Sequence, residues 1–335
     1  MVTSAGRTLQ DGSIYHRAIS YLRVSITDRC NLRCVYCMPE EGVPALRHED
    51  ILRYEEIKRL VRIAAELGIS RVRLTGGEPL VRRGIEDLIA MLVAIPGIEE
   101  LALTTNGTLL RQMAGRLMAA GLARVNISLD TLRPERYRAI TRGGSLDDVL
   151  AGIAAARQAG LDPVKINTVI MRGVNEDEVL DFAARTVAEA WHVRFIELMP
   201  LGETAQTALT EYISSQEIRA QIEVHMGTLE PAEVPGNGPA RYWRLPGASG
   251  TLGFISAISE HFCAHCNRLR LTSDGRLVPC LFADLEFDLR GPLRAGADDA
   301  ALRDIFLQAI TAKPDRHHLD ECRVMPRHEM SRMGG

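Results

Sequence analysis

The feature that most constrains this chain is a regular alternation of strand patterns and helix patterns between residues 21 and 199. Six stretches are typical of strands. They are residues 21–27, 71–74, 101–105, 124–129, 164–170 and 192–199. Stretches with apolar residues at helical spacing separate them, and a further helix is expected at 214–222. Such alternation predicts an α/β protein with a parallel sheet, either doubly wound or curled into a barrel. Because no GxGxxG follows the first strand, we expect an incomplete (β/α)6 barrel.

Three cysteines, Cys30, Cys34 and Cys37, directly follow the first strand pattern at CxxxCxxC spacing. Cysteine thiolates are the usual protein ligands of iron-sulfur clusters and common ligands of zinc. A four-iron cluster held by only three thiolates leaves one iron open to another molecule, which favours catalysis. A zinc knuckle with a missing ligand and three buried cysteines are the alternatives that the spacing leaves open.

A second group of three cysteines has CxxC spacing, then thirteen residues, then one more cysteine. Its members are Cys263, Cys266 and Cys280. By itself this spacing fits zinc, with His261 or His265 as the fourth ligand, as well as it fits an iron-sulfur cluster. The presence of the first group favours a second cluster with an open iron. The remaining cysteine, Cys322, is assigned no role.

Charge and hydropathy narrow the classes of partner and the location. The 335 residues carry a formal net charge of -3, which gives no electrostatic reason for binding nucleic acid or membrane in bulk. No apolar run is long enough to cross a bilayer, and residues 1–17 lack the apolar segment of a signal peptide. We therefore expect a cytoplasmic protein. In that compartment thiols stay reduced, so the two cysteine groups are interpreted as metal ligands and not as disulfides.

Turn-forming motifs stand at the ends of four of the predicted strands. They are GGEP at 76–79, TTNG at 104–107, SLD at 128–130 and ELMP at 197–200. Each motif alone is more often an ordinary turn. The carboxyl ends of barrel strands carry the active site in enzymes of this architecture, so their joint placement predicts a site at that face.

Basic residues recur on the predicted strands and could all point into one barrel interior. They are Arg23, Arg71, Arg73, Lys165 and Arg194. Cations inside a barrel are unfavourable unless they are paired, and guanidinium groups suit phosphate oxygens, so the set predicts a polyphosphate ligand. The alternative for any one of them is a solvated side chain or an ion pair with an outer helix.

The motifs together resemble those of the radical S-adenosylmethionine (radical SAM) enzymes. CNLRCVYC, with an aromatic residue before the third cysteine, and the GGE stretch carry that resemblance. A wider set is similar to the branch of this family that cyclises GTP in molybdenum cofactor biosynthesis. It comprises CNLRCVYCMPEEG, RLTGGEPLVR, LTTNG, NISLDTL, FIELMP, FCAHCNRLRLTSDG and the terminal Gly334-Gly335.

The resemblance implies a role for each matching residue. Two 4Fe-4S clusters would be held by Cys30, Cys34 and Cys37 and by Cys263, Cys266 and Cys280. S-adenosylmethionine (SAM) would be bound by Tyr36, Gly76, Gly77, Glu78, Ser128 and Met199. GTP would be bound by Arg23, Arg73, Thr104, Lys165, Arg194, Arg268 and Arg270. Catalysis would depend on Cys30, Cys34, Cys37, Arg268, Arg270, Gly334 and Gly335.

The reaction implied by the resemblance is that of a radical SAM lyase. Reductive cleavage of SAM gives a 5'-deoxyadenosyl radical, which removes the C3' hydrogen of GTP. C3' then bonds to guanine C8, giving 3',8-cyclo-7,8-dihydro-GTP. The partners implied are an electron donor such as flavodoxin or ferredoxin, cyclic pyranopterin monophosphate synthase as the downstream enzyme, and a second copy in a homodimer.

Two other functions compete with this interpretation. A radical SAM enzyme with an auxiliary cluster could act on a peptide or another small molecule, although neither would need so many cations. A non-catalytic metal-binding or electron-transfer protein would leave the GGEP motif and the arginines without a task. The expected domains are an N-terminal segment (1–20), a partial barrel (21–202) and a C-terminal domain (203–335) with the second cluster and the Gly-Gly tail. Residues 204–246 carry no motif.

Overall fold

The computed structural model describes residues 18–201, 208, 210–236, 238–317 and 330–333. In this part of the chain twelve strands form one sheet. The strands are β1 (Tyr21–Ser25), β2 (Arg71–Thr75), β3 (Glu100–Thr105), β4 (Arg124–Ser128), β5 (Lys165–Ile170), β6 (His192–Glu197), β7 (Glu230–Ala232), β8 (Arg241–Arg244), β9 (Thr251–Ile255), β10 (Arg268–Leu271), β11 (Arg276–Val278) and β12 (Phe287–Asp288). The helices are α1 (Tyr54–Glu66), α2 (Ile85–Val93), α3 (Leu110–Ala119), α4 (Pro134–Thr141), α5 (Leu146–Gln158), α6 (Val179–Ala188), α7 (Ser215–Met226), α8 (Arg290–Arg294), α9 (Asp299–Thr311) and α10 (Met330–Met333).

The six predicted strands are confirmed as β1 to β6, which pair in parallel and in chain order. Helices connect consecutive strands, so this segment is the α/β fold that the periodicity predicts. The predicted boundaries differ from the observed ones mainly by overrunning the strands into the loops that carry the motifs. Helix α4 was not predicted, because its eight residues bury only three side chains and give a weak apolar pattern.

Strands from the last third of the chain extend this sheet at both edges. β10 pairs in parallel with β1, and β9 pairs in parallel with β6. Beyond them, β11 and β12 continue one edge and β8 and β7 the other, all antiparallel. The parallel part therefore has eight strands, of which six are the predicted ones and two come from the C-terminal part of the chain. The division of the chain at residue 202 stays a prediction, and the two predicted domains share one sheet.

The two faces of the parallel strands differ in chemistry. Apolar side chains such as Leu22, Val24, Val72 and Leu74 are fully buried against the helices. Their neighbours in sequence face the opposite way, because successive side chains of a strand alternate. The register sets Arg23 beside both Arg73 and Arg270. The inner face of the sheet is therefore lined by cations and amides instead of the branched apolar residues usual in a packed barrel.

Two contacts join the C-terminal part to the barrel strands. The buried carboxylate of Glu197, at the end of β6, accepts hydrogen bonds from the backbone N–H groups of Ser215 (2.9 Å), Ile258 (2.8 Å) and Ser259 (3.0 Å). On the outer side, Arg59 of α1 pairs with Asp299 of α9 at 2.8 Å. These contacts fix the C-terminal segments over the motif-bearing loops. Across the described ranges, every helix is too short or too polar to span a membrane.

Candidate active site

The first cysteine group lies on the loop after β1 and lines a cavity of about 180 Å³ at the carboxyl ends of the strands. Two arginines hold this loop through its carbonyls. Arg33 donates to Cys30 O at 2.7 Å, and Arg142 donates to Met38 O at 2.9 Å. Cys30, Cys34 and Cys37 all face the same cavity. Burial raises the pKa of Cys37 to about 12, so its thiolate form is disfavoured in the protein without a metal.

Gly76 and Gly77 pack against the chain just before Cys30. The N–H of Gly77 donates to Thr27 O at 2.8 Å. A Cβ at Gly77 would lie 2.4 Å from Arg29 O, and one at Gly76, whose φ is +153°, would lie 2.5 Å from Thr27 O. Only glycine permits this approach. Both residues line the first cavity, where the sequence predicted them.

Glu78 is placed differently from its neighbours. Its carboxylate is 1% exposed and accepts hydrogen bonds from Leu80 N (3.0 Å), Thr105 Oγ1 (2.7 Å) and Asn106 N (2.7 Å). Burial raises its pKa to about 7, and these hydrogen bonds act against that rise. Glu78 is not part of the cavity wall. The carboxylate joins the GGEP loop to the TTNG loop. A contact between Glu78 and SAM therefore stays a prediction, and the orientation of the side chain does not favour it.

A buried carboxylate that the sequence did not single out stands opposite the cysteine loop. Tyr36 donates its hydroxyl hydrogen to Asp130 Oδ2 at 2.7 Å, and Val169 N donates to Asp130 Oδ1 at 2.8 Å. Burial raises the pKa of Asp130 to about 6. The SLD motif was the available signal for it. Asp130, Tyr36 and the predicted Ser128, Met199 and Thr104 all line the first cavity.

A second cavity adjoins the first and contains the other cysteine group. The two cavities share Asn167, Ile196 and Met199 on their walls. The cysteines of the second cavity are Cys263, Cys266 and Cys280. Its cations are Arg23, Arg73, Arg194, Arg268, Arg270 and Lys313. Among the described residues, no aspartate or glutamate lines it. The described walls of this cavity are therefore rich in positive charge.

The arginines of the second cavity are buried at an electrostatic cost. Burial lowers the pKa of Arg73 and of Arg270 to about 10, and Arg268 adds to the effect on Arg270. Arg194 donates to Asn126 Oδ1 at 2.6 Å. The Nε atoms of Arg73 and Arg194 are buried and have no hydrogen-bond partner within the described part of the chain. Unused buried donors on several guanidinium groups are what an anionic ligand would satisfy.

Three predicted residues lie elsewhere. Lys165 lines neither cavity; its ammonium donates to Pro235 O and lies 5.4 Å from the centre of the Tyr242 ring. Thr104, predicted to contact substrate, lines the first cavity instead of the second. Arg71, expected in the interior, is partly exposed and lies 3.8 Å from Glu99, so the ion-pair alternative applies to it. Gly334 and Gly335 lie outside the described residues.

In the second cysteine group, neighbouring cations outweigh the effect of burial on one thiol. Burial raises the pKa of Cys266, but the charges of Arg268 and Lys313 outweigh burial and bring it to about 7. Both histidines considered as zinc ligands are exposed. His261 lines the cavity and packs edge-on against His317 at 5.1 Å, whereas His265 is not part of the cavity wall. In the described ranges, no three His, Cys, Asp or Glu side chains lie together in a way that could hold a single metal ion.

The chain matches two protein-family models. Residues 24–185 match the radical SAM superfamily, and residues 191–319 match the C-terminal domain family of molybdenum cofactor synthesis. It is 55% identical to the GTP 3',8-cyclase of Pelotomaculum thermopropionicum over 96% of this chain and 99% of that protein. The chain belongs to the GTP 3',8-cyclase family. It is also 56% identical to the GTP 3',8-cyclase of Heliobacterium modesticaldum over the same shares of the two chains.

Solved structures confirm the fold class. Streptococcus suis SuiB bound to the precursor peptide SuiA matches with a TM-score of 0.62 at 15% identity, over 93% of this chain and 68% of that chain. At that identity the likeness concerns the fold. The radical SAM superfamily implies SAM and a 4Fe-4S cluster as cofactors. The first cavity is lined by three cysteines that fit the cluster and by Gly76 and Gly77, which lie close to the neighbouring backbone and fit SAM.

Proposed function

We propose that the chain removes the C3' hydrogen of GTP and joins C3' to guanine C8, giving 3',8-cyclo-7,8-dihydro-GTP. The observation that carries this proposal is the pair of adjoining cavities. One has the three cysteines of the radical SAM motif, and the other has six cations with no carboxylate on its described walls. A peptide substrate would not require that charge, whereas the triphosphate of GTP would balance it.

The residues of the first cavity fit the cofactors of the superfamily. Cys30, Cys34 and Cys37 would hold the 4Fe-4S cluster, and Gly76, Gly77, Ser128 and Met199 would bind SAM. The buried oxygens Thr104 Oγ1 and Asn167 Oδ1 have no hydrogen-bond partner among the described residues, so both offer contacts to a polar ligand. When bound, these cofactors supply the organic radical that abstracts hydrogen. The Tyr36–Asp130 hydrogen bond fixes the far side of the cysteine loop against β4 and β5.

We propose that Cys263, Cys266 and Cys280 hold a second 4Fe-4S cluster. What supports this is that the three cysteines form no disulfide, are partly buried and lie on the wall of one cavity, and that cations beside Cys266 favour its thiolate. Arg268 and Arg270 lie on the strand that follows Cys266, so a base held near this group would have its phosphates within reach of the arginines of β1, β2 and β6.

The contribution of the protein to the reaction is position and exclusion of water. Arginines from four strands would clamp the triphosphate through paired N–H donors, which fixes the ribose as well as the charge. The shared wall formed by Asn167, Ile196 and Met199 is where the ribose would meet the radical-bearing cofactor. The segment that contains Ile258, whose N–H donates to Glu197, contributes Ala257 and His261 to the wall of the second cavity. A dry site protects a radical from solvent.

The test of this proposal is a set of anaerobic measurements on the full chain. Iron, sulfide and the EPR spectrum should correspond to two four-iron clusters per chain. With SAM, reductant and GTP carrying deuterium at C3', the deuterium should appear in 5'-deoxyadenosine, and the cyclised nucleotide should accumulate. One zinc per chain and iron for a single cluster would contradict the proposed second cluster. If 5'-deoxyadenosine formed from this GTP carries no deuterium, the choice of substrate is contradicted. The same holds if deuterium is transferred only when a labelled peptide replaces GTP.

We also propose that the Gly334-Gly335 tail assists turnover. What supports this is Met333, which is 2% exposed and packs with Leu201, Val278 and Leu281 in a small apolar cluster. Met199, which lines both cavities, packs against the same cluster. Deleting the two glycines should leave iron content, fold and SAM binding intact and nearly eliminate product, and the free tail peptide should restore part of it. Product formation at the parental rate would show the tail to be dispensable.

We propose an electron donor of the flavodoxin or ferredoxin type, cyclic pyranopterin monophosphate synthase as the enzyme that consumes the product, and a homodimer. The electron donor follows from the proposed reaction, which needs low-potential electrons to cleave SAM. The synthase follows from its product, which is an intermediate in molybdenum cofactor biosynthesis. Sedimentation of the holoprotein tests the dimer. Reduction of the clusters by a purified flavodoxin tests the electron donor. Conversion of the product by cyclic pyranopterin monophosphate synthase tests the downstream enzyme.

A further inference from the structure

Lysine is rare in this chain. Lys and Arg together number 40, and only Lys58, Lys165 and Lys313 are lysines, so 40 - 3 = 37 are arginines. Lys58 is exposed on α1, whereas Lys165 is buried in the interior and Lys313 lines the second cavity. Where arginine supplies nearly every positive charge, a lysine in a cavity wall indicates a position that needs a compact ammonium and not a planar guanidinium.

The surroundings of Lys313 show what that need is. Its ammonium donates to Arg268 O at 2.7 Å and to Pro279 O at 2.6 Å. Arg268 comes two residues after Cys266, and Pro279 directly precedes Cys280. One ammonium therefore bridges the two chain segments that carry the second cysteine group.

The bridge stands where a β ladder ends. Strands β10 and β11 pair antiparallel, with Leu271 opposite Leu277 and Arg270 opposite Val278. Extending that register would bring Pro279 into the ladder, but proline has no N–H to donate. The strands part at this point, and the carbonyls of Arg268 and Pro279 face the ammonium of Lys313. This separation leaves space between the segments that carry Cys266 and Cys280, and the two hydrogen bonds of Lys313 fix the distance between these segments.

Lys313 is held in place by α9, which ends at Thr311. Asp298 caps the start of this helix, and Asp299 pairs with Arg59 of α1 at 2.8 Å. The backbone N–H of Lys313 donates to Ile310 O at 3.3 Å, so the residue continues the last turn. Because α9 is capped and ion-paired at its start, the ammonium reaches the ladder from the end of an anchored helix.

We propose that Lys313 is a positioning residue of the second cysteine site: it sets the spacing between the segments carrying Cys266 and Cys280 and places a fixed positive charge beside the group they hold. This inference rests on the proposed second cluster. A neighbouring cation stabilises the more negative, reduced form of a cluster and so raises its reduction potential. Lys313 is one of two charges that act on Cys266.

The experiment isolates the second site by replacing Cys30, Cys34 and Cys37 with alanine in the full-length chain, so that iron and EPR signals report one cluster. In this background, Lys313→Gln removes the charge, and Lys313→Arg keeps the charge but replaces the point donor by a planar one. Lys58→Gln is the matched control, an exposed lysine on α1. The readouts are the midpoint potential, the rate of iron loss to a chelator, and the thermal unfolding temperature.

We expect Lys313→Gln to lower the midpoint potential of the cluster by at least about 59 mV, which for one electron corresponds to a tenfold change in the ratio of oxidised to reduced cluster. Lys313→Arg should keep the potential near that of the parent and lose iron at least several-fold faster, because its fork does not fit two carbonyls converging on one point. If Lys313→Gln does not fold, the Arg variant decides on positioning. Parent-like potential and iron loss in both variants would overturn the inference alone. A parent background that binds no iron would overturn the proposed second cluster together with it.

Discussion

Lys165 offers a direct test of how charge is arranged inside the sheet. Its side chain is 1% exposed, and burial together with Arg194, Arg124 and Arg73 lowers its pKa to about 6. Glu100, paired with Arg124, is the charge that acts against them. At pH 7.5 a group with this pKa is only about 3% protonated. At that pH we therefore expect the Lys165 Nζ of the ligand-free protein, which donates to Pro235 O, to be mainly an uncharged amine.

Binding of a triphosphate reverses this balance. A polyanion beside the arginines favours the protonated amine, so the pKa of Lys165 rises on binding and the protein takes up a proton. The sign follows directly: affinity is highest below the free pKa of about 6 and falls as pH rises toward the pKa of the complex. If the complex restores an ordinary lysine pKa, uptake at pH 7.5 approaches one proton, and affinity falls about tenfold per pH unit.

Calorimetry of GTP binding without reductant measures this uptake. Titrations at one pH in buffers of different ionisation enthalpy give the number of protons, which should be close to one. Lys165→Arg is the decisive variant, because guanidinium stays charged and takes up no proton on binding. The γ-phosphate of GTP and the neighbouring His192, whose pKa burial and the charge of Lys165 lower, can also contribute protons, so the test is the difference in uptake between the parent and Lys165→Arg, which should be close to one proton. Lys58→Arg should behave as the parent. Equal proton uptake by parent and Lys165→Arg would refute the reasoning.

Three further predictions test the two cavities and the loop between them. Cys34→Ser should abolish reductive SAM cleavage, since an open iron requires all three thiolates; cleavage at the parental rate would remove the first-cluster assignment. Arg270→Ala should weaken GTP binding about 10- to 100-fold through the loss of charge-assisted hydrogen bonds, while SAM cleavage without substrate stays measurable; equal loss of both would point to misfolding. Gly77→Ala should lower the free energy of unfolding by about 1–3 kcal/mol, because its Cβ would meet Arg29 O at 2.4 Å; an unchanged denaturant midpoint would contradict that close approach.

Local patterns were enough to predict the elements that carry the site. Strands β1 to β6 and the loops at their ends follow from period-two alternation and turn residues, which depend on near neighbours in sequence. The same patterns cannot indicate that β9 and β10 pair with β6 and β1, because those partners are separated by about 60 and 250 residues. Non-local pairing is fixed by packing and leaves no signature in either strand alone.

The residues whose placement differed from expectation show a second limit. Glu78 stands within a motif, yet its carboxylate serves three donors of the neighbouring loops instead of the cavity. Arg71 and Arg73 share a face of β2, but Arg71 lies at the open end of the strand, where Glu99 and solvent reach it. Strand periodicity gives the face of a side chain and not its depth along the strand. Asp130 and Lys313 were missed because each acts through backbone or hydroxyl partners distant in sequence.

The pairing of β10 with β1 and of β9 with β6 has a consequence for how the molecule is made. During synthesis the first six strands leave the ribosome well before either of their outer partners exists. Until residue 255 has emerged β6 carries an open row of N–H and C=O groups, and until residue 271 has emerged β1 does. Such edges are the kind through which nascent chains associate. A fragment ending near residue 202 should therefore accumulate as aggregate, and only the full chain gives a sheet in which β1 and β6 are interior strands.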